Sequence, residues 1–136
     1  MVDCLTYIIF NDLPKEKEQK IKEWAKKQPN TEYWYFSASR LKEEYGGSFC
    51  VVTNYHYRRH KLQLYIYQLW KEYHDLCNMR VELWSDLDAE PDEDYGLDGV
   101  IEGEEFNEYF SEKTDEEWQK AWQKEIDEWH KYLKNN

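Results

Sequence analysis

The sequence predicts a single α+β domain, and three observations carry that expectation. A length of 136 residues suits one domain and is short for two. Aromatic residues make up 18% of the chain, with 7 Trp and 12 Tyr, too much ring surface for a disordered chain even at 35% charged residues. Through residue 85, short β-type runs alternate with two stretches of helical periodicity in the order β-α-β-β-α-β.

Each element follows from its residues. Positions 4–10 (CLTYIIF) are apolar on both alternating faces, as a strand covered on both sides would be. Asn11 or Asp12 is placed to cap a helix, with Pro14 in its first turn and Pro29 just past its end near Gln28. Ile21, Trp24 and Ala25 give that helix a narrow buried face. Positions 32–38 (EYWYFSA) read as a second strand, 39–45 as a helical turn closed by Gly46 and Gly47, and 48–55 as a third strand. From about Arg58 to Leu76 the apolar stripe Leu62, Tyr65, Ile66, Leu69, Tyr73 and Leu76 advances by three and four, which is helical. Met79–Trp84 is the fourth strand.

This order resembles the split βαβ arrangement of ferredoxin-like domains. That resemblance implies a sheet with the first and third strands at its centre, and those are the most apolar of the four. The expected division is a core over 1–85, with an acidic loop and C-terminal helices over 86–136 packed on it.

The C-terminal part has a short helix near Glu104–Phe110. A capping box follows, with Thr114 as N-cap and Glu117 three residues on. The last helix carries Trp118, Trp122, Ile126, Trp129 and Leu133 on one face. Tryptophans bury about 150–250 Å² each, so this face needs a partner surface. The expectation is that it lies across the open face of the sheet or docks on a second copy, forming a homodimer.

Charge is unevenly distributed. The net charge is −11, which disfavours direct binding to nucleic acid or to an anionic membrane. Residues 1–85 hold 13 basic against 11 acidic side chains, whereas 86–136 hold 5 against 18. Between Asp86 and Glu117, 15 of 32 residues are acidic and only Lys113 is basic. As one helix the segment would span about 48 Å, or one carboxylate per ~3.2 Å, close to the ~3.4 Å per charge of a DNA strand.

Aromatic residues are interleaved with these carboxylates, so the segment is expected to fold rather than float. Asp86, Asp88, Glu90, Asp92, Glu93, Asp94, Asp98, Glu102, Glu104, Glu105 and Glu108, with Tyr95 and Tyr109, are therefore the candidate contacts to a basic partner surface. The expected function is inhibition by occupying the nucleic-acid cleft of a partner enzyme. By charge and size this is analogous to small acidic anti-defence proteins of phages and to nuclease-immunity proteins.

The alternative is calcium. Residues 94–105 resemble an EF-hand loop, with Asp94 first, Asp98 fifth, Gly99 at the turn, Glu102 ninth and Glu105 twelfth. Gly96 replaces the usual third ligand, and 90–93 make a poor entering helix.

Other motifs point elsewhere less strongly. Tyr55–Lys61 is a basic, aromatic cluster that suits the start of a surface helix. His56 and His60 are four apart without the HExxH that zinc catalysis uses. No GxSxG, P-loop or GxGxxG occurs, so no enzyme is expected and no cofactor is required. Three cysteines, Cys4, Cys50 and Cys77, form no CxxC pair and suit a reducing cytoplasm. The apolar run Leu5–Phe10 is too short for a signal peptide.

Overall fold

A computed structural model describes residues 4–28, 31, 34–36, 49–54, 59–85 and 96–134. The chain is a mixed α+β fold. Among the described residues, its strands are β1 (Cys4–Asn11), β2 (Tyr35–Phe36), β3 (Phe49–Asn54), β4 (Asn78–Ser85) and β5 (Gly96–Glu102). The helices are α1 (Lys15–Lys26), α2 (Arg59–Tyr73), α3 (Glu105–Tyr109) and α4 (Asp115–Lys134). The strands form one sheet in the order β2-β3-β1-β4-β5. Every neighbouring pair is antiparallel.

β1 is flanked by β3 and β4, and its side chains are buried on both faces. Ile8 and Phe10 face the helices, together with Phe49, Val51, Met79 and Val81 from the neighbouring strands. Ile9 packs on the opposite face with Cys50 and Val52. This two-sided burial is why residues 4–10 lack alternation in sequence.

Between β1 and α1 the chain turns at Asp12, whose φ of 66° lies in the left-handed region that Asp tolerates better than most residues. Neither Asn11 nor Asp12 caps α1. The N-cap position is Pro14, with no side-chain hydrogen bond, and the helix begins at Lys15.

α2 uses three faces, which explains the breadth of its apolar stripe. Leu62, Ile66, Leu69 and Tyr73 meet the core, with Tyr73 edge-on to Phe10 at 6.0 Å. Tyr67 and Trp70 meet Phe110 of the α3–α4 turn at 4.9 and 5.2 Å. Lys61, Tyr65, Gln68 and Lys71 meet α4.

The position of α4 differs from the sequence expectation. It lies on the helix layer, antiparallel to α2, rather than across the far face of the sheet. Lys61 pairs with Glu125 at 3.0 Å, Tyr65 meets Trp122 edge-on at 4.9 Å, and Lys71 pairs with Asp115 at 2.6 Å. Trp122 also stacks on Trp24 of α1 at 5.9 Å, so α4 bridges the two core helices. The physical reason is complementarity. Trp24, Tyr65 and Tyr67 offer ring surface there, whereas β4 turns Arg80 and Glu82 to the other side of the sheet.

β5 has no counterpart in the sequence reading. It pairs with β4 from Arg80↔Glu102 to Ser85↔Gly96, with a register shift that leaves Asp98 without an opposite residue. The expected elements at 39–45 and the cluster at Tyr55–Arg58 lie outside the described residues. Among the described residues, no helix is long and apolar enough to cross a membrane.

Candidate functional site: a pinned acidic face and an adjoining cleft

The acidic segment from Glu102 onwards is held by buried rings. Phe106 of α3, Phe110 and Trp118 of α4 all join the core that contains Ile8 and Val81. Trp118 is 1% exposed, stacks on Tyr67 at 5.1 Å and donates its indole N–H to the Phe110 carbonyl at 3.0 Å. The predicted capping box is present. Thr114 N–H donates to Glu117 Oε1 at 3.1 Å, and Glu117 N–H donates to Thr114 Oγ1 at 3.2 Å.

The carboxylates around these anchors divide into two groups. The first is internally engaged. Asp115 Oδ1 accepts from Lys71 Nζ and from the Tyr67 hydroxyl, each at 2.6 Å. Lys71, and after it Tyr67, hold the Asp115 carboxyl below its ordinary value, while burial and then Asp115 push the Tyr67 phenol up to about 12. Glu102 pairs with Arg80 at 2.6 Å, Glu112 meets Lys113 at 3.4 Å and Glu116 meets Lys120 at 3.6 Å.

The second group is Glu104, Glu105 and Glu108. They are exposed, lie on a single turn at the start of α3, and make no ion pair with a described residue. Lys113, the sole basic residue of the segment, is drawn aside over the Trp118 ring, 4.7 Å from its centroid. The result is an acidic patch on a fixed backbone.

Among the sequence-predicted contacts, Glu104, Glu105 and Glu108 therefore share the patch, whereas Glu102 is engaged by Arg80. Tyr109 is half-buried against Phe110 at 4.8 Å, and its carbonyl accepts from Gln63 Nε2 at 2.9 Å, so it supports the patch from beneath. Asp86, Asp88, Glu90, Asp92, Glu93, Asp94 and Tyr95 lie outside the described residues, as does the side chain of Asp98.

The described part of the EF-hand-like stretch is extended, not wrapped. Gly96–Glu102 is β5, Glu102 is committed to Arg80, and Glu105 opens α3. No group of three or more potential ligands lies together among the described residues. The described part of the segment is strand, short helix and the start of α4 rather than one continuous helix, so Glu104, Glu105 and Glu108 form a patch rather than a rod.

Sequence reasoning missed a neighbouring cleft of about 590 Å³. It opens where the end of α2, the start of β4 and the β5–α3 turn converge. Its walls include Trp70, His74, Asn78, Arg80, Glu104 and Asn107. His74 stacks on Trp70 at 4.3 Å with an interplanar angle of 16°. Its Nδ1 lies 2.6 Å from the Trp70 carbonyl oxygen, and its Nε2 lies 3.2 Å from Asp75.

Arg80 does not make the cleft an anion site. Its Nε donates to Glu82 at 2.8 Å and its Nη1 to Glu102 at 2.6 Å, so its charge is already balanced. Glu82 is 2% exposed and also accepts from the Trp84 indole at 3.1 Å, which gives this buried carboxylate the partners it requires. Cys77, also at the cleft, donates to the Tyr73 carbonyl rather than to His74. Burial, and after it Asp12, pushes its thiol up to about 11, leaving little thiolate at neutral pH. These residues come from elements far apart in sequence, and no local motif announces them.

Compared with protein-family models, curated proteins and solved structures, the chain has no significant match.

Proposed function

We propose that the chain is a binding protein whose acidic face docks on a basic surface of a partner. The carrying observation is that Glu104, Glu105 and Glu108 have no ion-pair partner among the described residues and stand on backbone anchored by Phe106, Phe110 and Trp118. A solubilising tail needs no such anchoring, and holding like charges close together costs stability. The partner we infer is a nucleic-acid-processing enzyme, whose cleft carries the complementary charge, and the chain acts as its inhibitor in a cytoplasm. Free thiols at Cys50 and Cys77 support a reducing compartment.

We also infer that residues 1–85 are a ferredoxin-like unit extended by β5. The element order and the neighbour order β2-β3-β1-β4 support this reading. On it, the acidic face is an addition at the β4 edge of an otherwise ordinary scaffold.

Affinity capture from bacterial lysate tests the docking reading, with elution first by chelator and then by high salt. A nucleic-acid enzyme released by salt alone is the expected result, because attraction between opposite charges is screened. Release by chelator would favour the calcium alternative and count against docking by charge.

A further inference from the structure

We propose that the cleft between His74 and Glu104 is a pocket for a guanidinium group, the side chain of an arginine presented by a basic partner. As the partner's anchor it rests on the docking reading, but the ligand chemistry stands on the cleft itself.

Its size of about 590 Å³ falls within the range of small-ligand sites. Its charge selects a cation. Arg80 is spent on Glu82 and Glu102, while Glu104 at the rim has no ion pair among the described residues. Its shape selects a planar cation over a compact one. His74, backed by Trp70 at 4.3 Å, offers the open ring face on which a guanidinium layers, as arginine does on aromatic faces. Asn78 and Asn107 also line the cleft and carry amide oxygens able to accept from the remaining N–H donors, and Glu104 at the rim receives the fork.

Titration of the whole chain with N-acetyl-arginine amide, followed by ¹H–¹⁵N NMR, tests this. Saturable shifts at the Trp70 indole and at the amides of Asn78, Gly103 and Asn107 are expected. The neutral isostere N-acetyl-citrulline amide should give none. E104Q should weaken binding by about threefold, the worth of one exposed ion pair. The variant E105Q/E108Q/E112Q, altered outside the cleft, should bind the amide as the wild type does.

Equal response to arginine and citrulline amides would overturn the charge argument. Shifts spread over Glu105, Glu108 and Glu112 without the cleft resonances would overturn the pocket. Neither result would bear on whether the acidic face captures a partner, so the two ideas fail separately.

Discussion

Trp118 shows how one residue joins the acidic segment to the fold. Its ring fills core space between Tyr67 and Phe110, and its indole N–H satisfies a carbonyl at the end of α3. Trp118→Ala should cost about 3–5 kcal/mol, the usual range for a large buried ring. Urea unfolding followed by far-UV circular dichroism would measure it, and a loss under about 1 kcal/mol would mean the ring is not an anchor. The two described thiols make a second case. Burial dominates both, raising Cys77 to about 11 and Cys50 higher still, with Glu82 adding to the latter. Peptide-mapped thiol labelling at neutral pH should be slow at Cys77 and absent at Cys50 until unfolding. Rapid labelling of Cys50 in the folded chain would contradict its 0% exposure.

At the scale of elements, α4 is held most firmly at its N-terminal half. Trp118 is fully buried and Trp122 is wedged between Trp24 and Tyr65, whereas Leu133 is 50% exposed. Amides of 128–134 should therefore exchange with deuterium faster than those of 118–126, and uniform protection would contradict that gradient. Its first turn is tied to α2 by Asp115. The Asp115 pKa is depressed in the folded state, so its contribution is present above the ordinary value of 3.8 and lost as pH falls through the folded value. The stability gap between wild type and Asp115→Asn should be open at pH 7 and close on acidification below about pH 4. A constant gap would mean that the Lys71 and Tyr67 contacts do not depend on charge.

Element scale is also where sequence legibility divides. β1, β3, α2, β4 and the Thr114–Glu117 box are readable because short apolar runs, helical periodicity and capping are local signals. β5 is not, because Gly96, Asp98 and Gly99 carry turn chemistry and only pairing with β4 makes them a strand. The site of α4 is equally hidden. Its apolar face is plain in sequence, but whether it covers the sheet or the helices depends on ring surface that α1 and α2 expose only once folded.

Charge belongs to the molecule as a whole. The imbalance after Asp86 is readable from composition, but the sorting of carboxylates into paired and unpaired is not. It depends on contacts such as Lys71 with Asp115, which are 44 residues apart. The cleft behind Glu104 is hidden for the same reason, since its walls come from separate elements. Folding spends Asp115 and Glu102 on internal pairs and leaves Glu104, Glu105 and Glu108 outward.

The most direct test of the central claim compares two columns loaded with one bacterial lysate. One carries the wild-type chain and the other the variant E104Q/E105Q/E108Q/E112Q, shown by circular dichroism to be folded. A nucleic-acid enzyme should be retained on the wild type, released by salt and absent from the variant. The same proteins retained equally on both columns would contradict it.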